Sequence, residues 1–209
     1  MRAARKIPGW MHYPVLVVLL AAPLACGSAS VPAQGAGFVV RYFAYGSNLA
    51  ASVREGRRQL RPLSTSCGFV RDARLAFNMP GFGPAEPAFA SLQAAPGQEC
   101  HGGVFELDLS DWLKLCVSEG VPFGGYTVKS VDVELYSGGT VPAFTLVGGL
   151  PFDLPPSERY LSLIRDGAQE LGLTRAYQDR LAKVQIAPLG TRAPVSIRDF
   201  EQRAGSTFL

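Results

Sequence analysis

A chain of 209 residues, 47% of them hydrophobic, has enough apolar material for one domain with a real core, which excludes an intrinsically disordered segment. Its formal charge of +3 traces to Arg2, Arg5 and Lys6, and the remaining basic residues balance the 17 acidic ones. A neutral body without a basic stripe interleaved with aromatics argues against a nucleic-acid partner and for a small-molecule ligand.

The basic N-terminus leads into an apolar run from Pro14 to Ala25, the order of charge and hydropathy found in a secretory signal peptide. The run is shorter than the ~20 residues that span a bilayer. The expected organisation is a signal peptide over 1–29, a linker over 30–37, one domain over 38–190 and a tail over 191–209. Two other readings of the N-terminus stay open. Cys26 could be lipidated, although Pro23 stands where such motifs prefer an aliphatic residue, or the chain could start downstream. A working signal makes the protein exported, whether periplasmic, secreted or lipid-anchored; otherwise it is cytoplasmic. A membrane is a partner only if Cys26 carries lipid.

Val39 to Ala44 reads as a strand that runs into Tyr45-Gly46-Ser47-Asn48, a turn before a helical stretch from Leu49 to Arg57. Gly46 is expected to adopt backbone angles closed to other residues, and Ser47 or Asn48 to cap the helix. Free N–H groups at such a helix N-terminus suit a carboxylate or a polarised carbonyl, and an ordinary capped turn is the competing local reading. Further strands are expected at Ala73–Asn78, Ala88–Leu92, Gly103–Leu107, Tyr126–Leu135 and Val141–Leu146. Ser137-Gly138-Gly139 supplies the hairpin turn between the last two. A short helix is expected over Asp111–Val117. Leu161, Ile164, Ala168 and Leu171 recur at helical spacing between a Ser157 cap and Gly172, and a second helix follows Thr174 with Tyr177, Leu181 and Val184 on one face. The class is therefore α+β, a small closed or nearly closed sheet with a helical hairpin closing one side. A doubly wound dinucleotide fold is excluded by the absence of regular strand–helix alternation and of GxGxxG.

The four cysteines, at 26, 67, 100 and 116, have no metal-ribbon spacing; whether Cys67, Cys100 and Cys116 form a disulfide is open. Of the two histidines, His12 lies in the signal segment, so nucleophilic catalysis through histidine would rest on His101, which reads as a satisfied strand residue. Carboxylates remain as proton-transfer groups. Glu119 lies in a Gly-rich bend among Val117, Val121 and Phe123, where desolvation would favour proton shuttling; a solvated loop carboxylate is the alternative. Glu86, between Pro84-Ala85 and Pro87, competes with it but reads as part of a rigid surface loop.

The segment Tyr42-Phe43-Ala44-Tyr45-Gly46-Ser47-Asn48, then Ala90-Ser91-Leu92, Gly102-Gly103-Val104-Phe105, Glu119-Gly120-Val121 and Tyr126, and finally Tyr160, Gly167-Ala168 and Tyr177, resembles the γ-glutamylcyclotransferase family in order and spacing. The resemblance covers about Val39 to Pro188. It implies a mixed barrel with helices around it, a small-molecule γ-glutamyl substrate and no cofactor. The implied reaction is conversion of a γ-glutamyl amino acid or amide to 5-oxoproline with release of the amine, as in glutathione metabolism. It also implies Glu119 as general acid and base, with Tyr42, Phe43, Ala44, Tyr45, Gly46, Ser47 and Asn48 holding the glutamyl end and Tyr126 and Tyr160 completing the pocket. No metal is implied, and oligomeric state is left open. The stretches Phe77–Gly81 and Glu86–Ser91, and Phe144 in a strand position, depart from the best-known cytosolic enzyme and bear on the leaving group. A non-catalytic module binding a γ-glutamyl or similar acidic ligand is the alternative from another class.

Overall fold

The computed structural model describes residues 38–83 and 85–188. The expected signal segment, linker and tail lie outside the described residues. Strands β1 (Val39–Ala44), β2 (Ser64–Gly83), β3 (Glu86–Asp108), β4 (Thr127–Leu135) and β5 (Thr140–Val147) close a barrel in the order β1-β3-β2-β4-β5. Every pairing is antiparallel except β1 with β5, where Tyr42 stands opposite Phe144. Helices α1 (Leu109–Ser118), α2 (Glu158–Glu170) and α3 (Arg175–Ala182) complete the α+β architecture.

Three of the expected strands are fragments of something longer. Ala88–Leu92 and Gly103–Leu107 are the two ends of β3, and Ala73–Asn78 is the middle of β2. Glycine and proline in these segments serve the barrel instead of ending its strands. A Cβ on Gly102 would fall 2.1 Å from the Ala44 carbonyl oxygen, and one on Gly68 would fall 2.3 Å from that of Glu134, so at both places glycine is what allows adjoining strands to approach. Between Arg71 and Ala73 the register shifts, and Asp72 takes φ 52° at the irregularity while accepting a hydrogen bond from the Gly97 N–H at 2.8 Å.

The core runs continuously from the barrel to the helices. Phe43, Phe105, Leu107 and Val133 are buried with Leu161, Ile164 and Ala168 of α2 and Leu181 of α3; each large aliphatic so enclosed contributes about 1.5–3 kcal/mol. Ser157 caps α2 by accepting from the Tyr160 N–H at 3.0 Å, and Thr174 caps α3 by accepting from that of Tyr177 at 3.4 Å. Cys67, Cys100 and Cys116 are free thiols.

Candidate active site

The segment after β1 is not the capped helix expected from Leu49 to Arg57. Ser47–Leu49 form a single 3-10 turn without a side-chain cap, and Ser52–Arg57 wind as a π-helix, with the Arg58 N–H donating to the Val53 carbonyl at 2.9 Å. A turn this short carries little macrodipole. Gly46 also differs from expectation: its φ is −104°. Glycine is favoured there by crowding, because a Cβ would sit 3.2 Å from the Ala90 Cβ and 3.4 Å from the Tyr160 hydroxyl.

Arg54 organises this turn from beneath. Its buried guanidinium donates to the carbonyls of Asn48 (3.3 Å) and Leu49 (2.8 Å) and lies 4.3 Å over the Phe105 ring. Asn48 is thereby held with its Nδ2 donating both to the Tyr42 hydroxyl at 3.0 Å and to Glu119 Oε1 at 2.9 Å. Glu119 itself ends α1. Gly120 follows in the left-handed region at φ 69°, and its carbonyl accepts from the Gly125 N–H at 2.9 Å.

The surroundings of Glu119 are more polar than its neighbours in sequence suggest. Phe123 is 84% exposed and Val117 is exposed as well, so the expected apolar enclosure does not form. The Arg58 guanidinium instead reaches Glu119 Oε1 at 2.7 Å, with the two side chains 17% and 15% exposed. Asn48 and Arg58 thus both bind Oε1, and among the described residues Oε2 is left for a ligand. Glu86 is also drawn to this cavity, contrary to the surface-loop reading, but both of its oxygens are engaged. Oε1 accepts from Arg159 at 2.6 Å and Oε2 from the Ser157 hydroxyl at 2.8 Å.

Opposite the turn, an irregularity in the β2–β3 ladder makes the rest of the wall. The register shifts between Ala76 and Met79, and Ala90 is absent from the β2–β3 pairs. Two tyrosines use its backbone: the Tyr126 hydroxyl donates to the Ala90 carbonyl at 2.8 Å, and the Ala90 N–H donates to the Tyr160 hydroxyl at 3.0 Å. On β2 the displaced carbonyls of Phe77 and Asn78 accept from Leu154 and Leu150, each at 2.7 Å, which ties down the segment after β5. Burial, followed by the charge of Glu119, pushes the Tyr42 phenol far above its ordinary range. Burial foremost raises Tyr126 and Tyr45 as well, and brings Tyr160 to about 12. All four phenols remain protonated and act as hydrogen-bonding groups, not as bases.

The resulting cavity is about 590 Å³, and Tyr42, Tyr45, Gly46, Ser47, Asn48, Glu119, Tyr126 and Tyr160 line it. Phe43 and Ala44, expected from the resemblance to hold the glutamyl end, are fully buried and absent from its lining. Tyr42, Phe43 and Ala44 are all buried at this end of β1, which is covered on both faces, and Phe43 and Ala44 pack in the core. Phe144 lies elsewhere too, stacked on Trp112 at 5.9 Å, so it makes no wall for a leaving group. His101, a buried β3 residue, hydrogen-bonds Tyr136 at 2.6 Å and takes no part in the cavity. Arg54 and Arg58 escaped the sequence reading. Arg57-Arg58 just after the turn was the available hint, but the helical period that would have aimed them is broken by the π-helix.

Residues 99–181 match the AIG2-like family. Human γ-glutamylcyclotransferase is 32% identical over 152 residues, which span 69% of this chain and 78% of the human protein. The chain belongs to the γ-glutamylcyclotransferase family. A γ-glutamyl cyclotransferase of Aspergillus oryzae, aclK, is likewise 32% identical over 161 residues, but this chain spans only 59% of its length. Among solved structures, a γ-glutamyl cyclotransferase superposes with a TM-score of 0.64 at 27% identity, covering 79% of this chain and 99% of that one. The γ-glutamylcyclotransferase barrel expected from the motif order is thus the fold observed.

Proposed function

We propose that the chain cyclises the γ-glutamyl group of γ-glutamyl amino acids or amides to 5-oxoproline and releases the amine, with Glu119 as general acid and base. The observation that carries the choice of Glu119 is the difference between the two glutamates in the cavity. Glu119 is anchored through Oε1 alone by Asn48 and Arg58, whereas Glu86 has both oxygens occupied. A carboxylate oriented through one oxygen can accept and return a proton at the other without losing its position.

The reaction asks little else of the protein. Glu119 Oε2 accepts a proton from the substrate's α-ammonium group, and the freed amine attacks the γ-carbonyl carbon to close the five-membered ring. Collapse of the tetrahedral intermediate breaks the original C–N bond as Glu119 returns that proton to the departing amine, and the second proton of the ring nitrogen follows through the same carboxylate, so the lactam keeps one N–H and the amine leaves as an ammonium ion. Atoms balance without water, metal or redox partner. Folding the glutamyl chain into a near-attack geometry removes much of the entropic barrier, and a narrow wall of Gly46, Ser47, Tyr126 and Tyr160 suits that task. The Tyr42 and Tyr160 hydroxyls, which accept from Asn48 and from the Ala90 N–H and so keep a proton to give, can donate with the turn to the γ-carbonyl oxygen as it gains charge. Three arginines against two glutamates on the cavity wall, with Arg57 in no ion pair among the described residues, favour a ligand that carries an α-carboxylate.

Names of relatives support the same chemistry, since the human and Aspergillus proteins are both termed γ-glutamyl cyclotransferases. Incubating the protein with γ-glutamyl amino acids and following 5-oxoproline tests the proposal, with Glu119→Gln as the control. Product from the wild type alone is expected. Ligand binding by both proteins with product from neither would turn the reading to a non-catalytic binding module.

A further inference from the structure

Away from Glu119 the cavity wall changes character. From Tyr160, whose hydroxyl crowds Gly46, aromatic rings continue outward in edge-on contacts: Tyr160 to Phe89 at 5.1 Å and Phe89 to Phe82 at 5.5 Å between centroids. Phe82 is 95% exposed, and Phe123 also lines the cavity while lying largely in water. Met79, Pro80 and Leu163 fill the wall around them. Single exposed apolar side chains need no explanation, but a set of them gathered on one cavity marks a surface awaiting a ligand.

The charge at this end is already spent within the protein. Glu86 is bonded to both Arg159 and Ser157, so neither sign of charge is left unpaired beside Phe82 and Phe89. Size agrees with chemistry. A volume of about 590 Å³ lies within the range that encloses drug-sized molecules, and a glutamyl group with a small amine would leave much of it unfilled.

We infer that the chain selects γ-glutamyl conjugates whose leaving amine carries an aromatic or large aliphatic group, seated along the Phe89–Phe82 rings and against Phe123. The inference rests on the proposed reaction and adds the identity of its second product: an apolar amine or amino acid in place of a small or polar one. Phe82 and Phe123 are then specificity-determining residues that take no part in the proton transfer. Phe82 comes from the β2–β3 tip, and Phe123 from the 3-10 turn Val121–Phe123 that follows Glu119. The leaving group therefore touches two separate loops, and the glutamyl group touches neither of these rings.

The test uses the full chain with γ-glutamylphenylalanine and γ-glutamylalanine, following 5-oxoproline and free amino acid for the wild type, Phe82→Ala and the Phe82→Ala/Phe123→Ala double variant. The wild type should show a kcat/KM at least about 10-fold higher for the phenylalanine conjugate, within the discrimination an apolar pocket can give. That ratio should fall toward one in the double variant, through KM. Both side chains are exposed, so folding, checked by circular dichroism, should survive. A wild-type ratio near or below one, or a ratio unmoved in the double variant, overturns the inference while leaving the reaction standing. Absence of 5-oxoproline from both substrates overturns the reaction and this inference with it.

Discussion

Gly167 offers the sharpest test of how the helical layer supports the site, because helix propensity and the structure predict opposite signs. In an exposed helix, replacing glycine by alanine stabilises by roughly 1 kcal/mol. Gly167 instead presses on the turn: a Cβ there would lie 2.3 Å from the Ala50 nitrogen and 2.4 Å from the Leu49 carbonyl carbon. Carbon contacts settle at about 3.5–4.0 Å, so α2 must retreat by about 1 Å or more. Such overpacking costs about 1–3 kcal/mol and loosens Leu161, Ile164 and Ala168 as well. After the propensity gain, Gly167→Ala should be less stable by up to about 2 kcal/mol, a fall in Tm of up to about 8 °C. Tyr160 rides on α2 and Asn48 adjoins Leu49, so kcat/KM for γ-glutamyl substrates should fall by up to about 100-fold. Gly56→Ala, where nothing lies within 4 Å of the new Cβ, is the control and should be neutral or slightly stabilising. Thermal and urea unfolding followed by circular dichroism decide the matter. A Tm at or above wild type for Gly167→Ala would refute the packing argument.

Gly125→Ala places a Cβ 2.8 Å from the Glu119 carbonyl oxygen, so it should reduce kcat with little change in stability, as read by paired kinetics and melting curves; unchanged kcat would count against this bend as the support of Glu119. Tyr160→Phe leaves the buried Ala90 N–H without its acceptor and should cost about 1–3 kcal/mol in urea unfolding. Tyr126→Phe removes only a donor to the Ala90 carbonyl and should cost less, and the reverse order would refute the assignment of that backbone pair. Burial first, and Arg180 second, hold the His101 imidazole below its ordinary 6.5. The unfolded chain thus takes up this proton before the folded one does, and stability falls as pH drops through 6.5 toward the folded value. His101→Gln should show a shallower loss of urea midpoint over about pH 7 to 5 than wild type, and equal slopes would contradict the burial.

What could be read from the sequence depended on how local its cause was. The strand Val39–Ala44 and the caps Ser157 and Thr174 announce themselves through a run of β-branched and aromatic residues and through a hydroxyl one residue before a helical period. The long β2–β3 hairpin did not, because Gly68 and Gly102 look like breaks until the barrel brings Glu134 and Ala44 against them. The same division holds in the cavity. Asn48, Glu119, Tyr126 and Tyr160 sit in recognisable motifs, and the structure brings them to one wall. Phe43 and Ala44 belong to the same motif, yet both are packed in the core, because the end of β1 is covered on both of its faces. Arg58 reaches Glu119 because of a π-helical winding that no apolar period foretells.

The most direct test of the proposed chemistry is the rate of 5-oxoproline release from a γ-glutamyl amino acid by the wild type and by Glu119→Gln, each checked for native structure by circular dichroism. Loss of a positioned acid/base should slow turnover by about 10²–10⁴-fold while substrate binding persists. A folded Glu119→Gln protein that forms 5-oxoproline at the wild-type rate would contradict the role of Glu119.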